Sequence, residues 1–377
     1  MERPSAASRA VKLFLCGDVM TGRGIDQILP HAGKPHLYES CVRSALGYVQ
    51  LAEETSGPIP RPADFAYIWG DALDALRRVA PDLRIINLET AVTTSEDAWP
   101  DKGINYRMHP DNLPCLAAAG INCCVLANNH VMDWGYQGLQ ETLACLHRAG
   151  IATAGAGLDA AQAAAPALLD VPGKGRVLVF AWATEDSGVP AEWRADPARP
   201  GVNFLPELTA RGIETIAHQV RAVKRAGDLA VASIHWGGNW GFGVSAQQRN
   251  FAHRLIEAAA VDVVHGHSSH HVKGIEVYRD KPILYGCGDF LNDYEGIAGH
   301  EQFRGDLALM YFPTLEAGRL TRFAMTATQT RHFRANYAPQ SGVQWLMETL
   351  NREGRQFGTQ VARLGEQDLL LNWRQPD

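Results

Sequence analysis

The chain has 377 residues, enough for one large domain or two, with 46% apolar and 20% charged residues, the balance of an ordinary folded enzyme. A formal charge of −6 lacks the basic excess that nucleic-acid binding requires, and no run of about 18 apolar residues offers a membrane span. The polar stretch Met1–Ala10 has no apolar signal core, and the seven cysteines form no CxxC, which suits a reducing compartment; the expected location is cytoplasmic.

In chain order, Val11–Cys16 reads as a buried strand closing on Gly17 and Asp18, and a helix or loop begins near Gly24. Trp69–Ala80 places Ala72, Leu73, Leu76 and Val79 at helical spacing, and the strand Leu83–Leu88 follows at once. Ser95–Arg107 reads as a polar, aromatic-rich loop. Helix Asp111–Ala119, strand Ile121–Ala127 and helix Tyr136–Ala149 come next. Leu168–Val171 and Arg176–Ala181 form a strand pair joined by Pro172, Gly173, Lys174 and Gly175. The long segment Thr184–Pro206 reads as a lid or insertion. Helices Leu208–Ala226 and Ala246–Ala260 alternate with strands Leu229–Ile234 and Val261–Val264. A run of strands then appears at Val272–Tyr278, Pro282–Tyr285, Leu307–Phe312 and Leu320–Thr328, predicting a sheet that finishes antiparallel or a second packed sheet. The tail shows one helix, Gln344–Asn351. The expected division is an α/β domain over residues 10–335 and a helical extension over 336–377 packed on it.

Polar residues stand just beyond five of the apolar runs, where an α/β enzyme presents ligands. Asp18 suits a cation or a turn, and Glu89 suits a bridge between two metals or a solvated strand end. Asn87 is expected to be buried and to need partners. Asn128, Asn129 and His130 interrupt an apolar stretch: an Asn carbonyl can ligate a metal, and His130, oriented by Asp133 three residues on, can pass a proton to a leaving group. His235 precedes Trp236, Gly237 and Gly238, where the backbone permits close approach of a ligand. His265, His267, His270 and His271 place four imidazoles in seven residues, a density that metal ligation explains. Asp289 and Asn292 line the same mouth or make a glycine turn, and Arg23, Arg107 and Lys273 are candidates to hold an anionic group. The run Gly155–Ala160 lacks the long buried strand of a dinucleotide fingerprint, and no phosphate loop, HExxH or GxSxG occurs.

The segments LFLCGDVMTGRGID, IINLETAV, LANNHVMDWG, SIHWGGNW, HGHSSHHVKGIEVY and KPILYGCGDFLNDYEG, spanning Lys12 to Tyr294, resemble those of the CapA poly-γ-glutamate biosynthesis family, a branch of the calcineurin-like metallophosphoesterases. The resemblance implies a four-layer α/β/β/α sandwich holding one or two divalent ions (Mn, Fe or Zn). It implies metal ligands Asp18, Glu89, Asn129, His235, His267 and His270, with His130 and Asp133 catalytic. Arg23, Arg107, His271 and Asp289 are the candidates to contact substrate. Met20 stands where the superfamily often has a histidine, and a thioether suits hard cations badly, so one metal is expected to be weakly held, differently ligated or absent. The implied activity is metal-assisted hydrolysis of a phosphoester or of a γ-glutamyl or amide-linked substrate, small or peptide-like and anionic. The competing expectation is a non-catalytic accessory of capsule polymer synthesis, or a polyanion-binding protein.

Overall fold

The computed structural model describes residues 9–373, so most of the polar Met1–Ala10 stretch and the last four residues of the 336–377 extension lie outside the described residues. The chain is a mixed α/β structure built on two main sheets. The first runs, in spatial order, Thr359–Arg363, Asp368–Trp373, Arg319–Thr330, Leu307–Glu316, Val11–Val19, Leu83–Leu88, Cys123–Val125 and Ala152–Ala154. Asp289–Leu291 joins it beside Val11–Val19. The second runs Phe204–Leu205, Gly175–Thr184, Leu229–His235, Val263–His267, Lys281–Leu284 and Ile275–Tyr278, with Ala167–Val171 paired to Gly175–Thr184. Both alternatives open for the later strands are realised. Leu307–Glu316 and Arg319–Thr330 finish the first sheet antiparallel, whereas Ile275–Tyr278 and Lys281–Leu284 complete the second.

Period-two alternation sorts the second sheet's side chains. Val177, Val179, Ala181, Val231 and Val263 share one apolar core with Leu13, Phe14, Ile85 and Cys123 of the first sheet. Their neighbours Leu178, Phe180, Trp182, Ala230, Ala232 and Ile234 pack instead with Ile213, Ile216, Phe251 and Leu255 of the helices Ala210–Val223 and Ala246–Ala259. Those helices begin where their sequences supply caps. Thr209 accepts from the Gly212 N–H, and Ser245 with Gln248 forms a reciprocal capping box.

Several expected boundaries move, for local reasons. The expected helix Asp111–Ala119 is split into a tight turn at Pro110–Asn112 and a short helix Pro114–Ala118, because Pro114 has no N–H to continue a ladder. The strand expected at Val261–Val264 is Val263–His267, so His265 and His267 lie within the ladder, opposite Ser233 and His235. Thr184–Pro206 is stitched into the sheet edge through Phe204–Leu205, and its Trp193 is fully buried against Trp99. The tail carries its helix, Gln340–Gly354, but then two strands that extend the first sheet; these, and the helix Ala45–Ser56, had no clear sequence signal. Gly155 is a packing glycine, since a Cβ there would meet the Ala127 and Ala181 methyls at 2.7 Å. Among the described residues, no helix is long and apolar enough to cross a membrane.

The strand Val11–Val19 carries a bulge where it matters most. Leu15 lies opposite Ile85 but Asp18 lies opposite Asn87, so one extra residue is accommodated at Cys16–Gly17. The Asp18 N–H donates to the Gly288 carbonyl at 2.9 Å, and a Cβ on Gly17 would stand 1.7 Å from that same oxygen. Backbone cannot yield as a side-chain tip does. Gly17→Ala is therefore expected to cost about 3 kcal/mol or more in urea unfolding, while Gly238→Ala, where a Cβ meets nothing within 4 Å, is expected to stay within about 0.5 kcal/mol of the parent.

Candidate metal centre

Asp18, Glu89 and His235 arrive from the ends of three strands of the two sheets, and one ligand atom of each lies within 4.8 Å of the others. All three are buried. One amide organises the acids. The Asn87 Nδ2 donates to Asp18 Oδ1 at 2.7 Å and to Glu89 Oε2 at 3.0 Å, while its Oδ1 accepts from Asn128 Nδ2 at 3.0 Å. Both amide hydrogens are thereby used, and Asp18 Oδ2 is left buried without a partner.

The imidazoles close the other side. His235 sets Nε2 3.0 Å from Asn129 Oδ1, while its Nδ1 has no hydrogen-bond partner and lies 3.9 Å from Glu89 Oε2. His267 sets Nδ1 3.1 Å from Asp18 Oδ1 and is backed by the Ser233 hydroxyl at 3.0 Å and His265 Nδ1 at 3.3 Å. His265 in turn reaches the Cys16 carbonyl at 2.8 Å. Gly266 between them has no room for a side chain: a Cβ would meet the Leu284 carbonyl at 2.5 Å and Trp236 Nε1 at 2.7 Å. Ser268 then turns the chain in a left-handed conformation (φ 90°) and donates its hydroxyl to the Gly237 carbonyl.

Two carboxylate–imidazole pairs flank the cluster. His130 Nδ1 lies 2.6 Å from Asp133 Oδ2, so the ring proton belongs on Nδ1 and the bare Nε2 faces Glu89 Oε1 at 3.9 Å. Asp133 is itself fixed by the Tyr106 N–H at 2.7 Å and by Lys102 Nζ at 3.4 Å. The second pair is His270 with Asp289, at 2.9 and 3.0 Å, with the Asn292 amide donating to the same carboxylate at 3.2 Å. Asp289 is the ladder partner of Asp18.

The charges follow from this burial. Burial, then the charges of Asp18 and Asp289, pushes the Glu89 carboxyl well above the usual range. Asp289 is also raised, by burial first, against the opposing pull of His270. Burial takes His235 and His267 down to about 3 and lowers His130 against the opposing charge of Asp133. His270 alone of these is raised, because the Asp289 carboxylate outweighs its desolvation. Neutral imidazoles around clustered carboxylates are the state in which a divalent cation is bound, and hard oxygen with borderline nitrogen donors suits Mn²⁺, Fe or Zn²⁺. The orphaned Asp18 Oδ2 and His235 Nδ1 are what such an ion would satisfy, so the residues fit one.

The other candidates sit differently. Arg23, in a left-handed conformation, is gripped by Asp293 at 2.5 and 3.1 Å and by Glu39 at 2.9 Å. Arg107 donates to the Ser95 and Lys34 carbonyls and stacks on Trp134, and Lys273 Nζ donates to the Gly243 carbonyl. His271 holds its own Val272 carbonyl, accepts from the Gly241 N–H and packs on Phe303 and Phe242. Met20 is fully buried. Sequence reasoning passed over Lys102, Ser233 and Tyr106, which support the site from ordinary loop and strand contexts.

The model of the bacterial capsule synthesis protein PGA_cap matches residues 12–294, three-quarters of the chain. The chain belongs to that family. It is 48% identical over 355 residues, 93% of each chain, to a probable polyglutamine synthesis accessory protein of Mycobacterium tuberculosis. It is 26% identical to the PGA biosynthesis protein CapA of Bacillus subtilis, over 74% of this chain and 62% of that one. The capsule biosynthesis protein CapA of Bacillus anthracis is 24% identical over 74% and 59%.

A raised carboxyl makes a pH prediction for the metal-free protein. Glu89 is protonated in both folded and unfolded states at low pH, and above its unfolded value the folded state holds the proton longer. Its ionisation therefore subtracts stability as pH rises toward the folded value. In excess chelator, Glu89→Gln is expected to melt higher than the parent at pH 8, with a smaller gain at pH 5. Adding Mn²⁺ is expected to stabilise the parent more than the variant; equal responses to Mn²⁺ would remove Glu89 from the ligand set.

Proposed function

We propose that this PGA_cap family member is a metal-dependent hydrolase acting on a phosphoester or on a γ-glutamyl or other amide-linked anionic substrate. The observation that carries the reading is the buried convergence of Asp18, Glu89 and His235 within 4.8 Å, two of them with polar atoms left unpartnered. Asp18, Glu89, Asn129, His235 and His267 would hold one or two divalent ions, with His270 at the margin beside Asp289. Bound there, a divalent ion supplies a lowered pKa to water and polarises a substrate oxygen. His130 presents a bare Nε2 toward Glu89 while Asp133 holds its Nδ1–H, an orientation that lets Nε2 accept a proton from the attacking water and then return it to a leaving-group oxygen or nitrogen. Lys102 Nζ, 3.4 Å from Asp133 Oδ1, helps fix the carboxylate that orients the imidazole.

We further propose that the two sheets form the middle of a four-layer α/β/β/α sandwich over residues 10–335, with 336–377 packed on it as an extension. The shared core between the sheets and the helices behind the second one support this. Seven unpaired cysteines, six of them buried, fit a reducing compartment such as the cytoplasm.

The second reading is an accessory that binds an anionic polymer without turning it over, favoured by the name of the 48% identical relative. Metal content by mass spectrometry, with turnover of p-nitrophenyl phosphate, its diester and γ-linked glutamate oligomers in Mn²⁺, separates the two. His130→Ala is expected to keep the metal and lose about 10²–10⁴ in kcat, whereas Asp18→Asn and His235→Ala are expected to lose metal and activity together. Bound metal with no turnover of any of these substrates would favour the accessory reading.

A further inference from the structure

Beside the metal centre the surface opens into a pocket of about 730 Å³, within the range of a ligand site, whose inner wall includes His270 and Asn292. Nothing in the proposed chemistry uses it. Its charges are unevenly satisfied. Of its acids, Glu295 accepts from the His332 and Phe333 N–H groups and from Ser56, Asp306 is taken up by Arg304 and Gln329, and Glu301 accepts from the Gly299 N–H. Of its cations, Arg23 is locked between Asp293 and Glu39, and Arg304 is held by both oxygens of Asp306. Arg331 is the exception: among the described residues its guanidinium has no hydrogen-bond or ion-pair partner. The rim between is apolar and aromatic. Ile104 and Ile297 are about half exposed there, and Trp240 stacks on His300 at 3.8 Å.

An unpaired guanidinium at one part of a pocket, a metal-binding cluster behind another and apolar surface around them describe a site for an extended ligand. We infer that this pocket binds the part of the substrate remote from the bond cleaved, and that Arg331 pairs with an anionic group there. A carboxylate or a phosphate offers the matching pair of oxygens. The inference rests on the hydrolase reading for the position of the cleaved bond, but the pocket's affinity is measurable without turnover.

The test uses the full chain carrying His130→Ala, loaded with Mn²⁺, titrated calorimetrically with γ-linked tetraglutamate and with tripolyphosphate. Adding Arg331→Gln is expected to weaken one of these probes about tenfold to a hundredfold. Arg331→Lys is expected to recover part of the loss, and tetraglutamate with its side carboxyls amidated is expected to be indifferent to Arg331. The probe that responds names the anionic group. Parent-like binding of both probes by Arg331→Gln, at an unchanged melting temperature, would overturn the inference, as would failure of both probes to bind the parent. An Arg331 effect in the His130→Ala protein, alongside a parent protein with intact His130 that turns over neither γ-linked tetraglutamate nor p-nitrophenyl phosphate or its diester, would uphold the pocket and count against the hydrolase reading instead.

Discussion

Two buried carboxylates, Asp18 and Glu89, are held side by side by the single amide of Asn87, and the centre depends on that arrangement. Like charges out of water repel strongly, and the amide's two hydrogens satisfy only one oxygen of each acid. The structure spends stability to keep them there. Asn128 fixes Asn87 from behind and, through its own Oδ1, caps the turn that presents His130. A chain of two amides thus sets the spacing of the acids and the placement of the proton-transfer candidate together. Such ordering without a cation is costly, which makes the arrangement intelligible as one built around positive charge.

The same geometry explains why the site straddles two sheets. Asp18, Asn87 and Asn128 come from neighbouring parallel segments of the first sheet, and His235 and His267 from a parallel pair in the second. The sheets meet through a shared apolar core, while within each sheet the site-bearing strands close on backbone joints, Gly17 against Gly288 in the first and Gly266 against Leu284 in the second. A joint of that kind fixes the backbone beside Asp18 and beside His265 and His267.

Much of this was legible in the sequence, and unevenly so. The site-bearing strands announced themselves as apolar runs broken by polar residues, and Leu83–Leu88 fell at its expected bounds. The pairing of His130 with Asp133 was readable because a three-residue spacing across a turn brings both to one side. What escaped was set by tertiary contact. Nothing local marks Lys102 as the partner of Asp133, or Arg23 as the captive of Asp293, 270 residues away. The closing strands Thr359–Arg363 and Asp368–Trp373 are short and mixed in polarity, and become strands by pairing with each other and with Arg319–Thr330. The strand runs on to His267 because His265 and His267 belong to the ladder, where burial keeps both imidazoles neutral.

The pairing of Val11–Val19 with Leu307–Glu316 has a consequence for how the protein is made. The first strand leaves the ribosome early, yet its antiparallel neighbour is translated about 300 residues later, an interval of roughly 15–60 s at ordinary elongation rates. The family match ends at residue 294, before that neighbour begins. Throughout the interval an apolar strand has one edge without its ladder, the kind of edge on which nascent chains pair wrongly. A release of the chain at the end of the family match would make that exposure permanent.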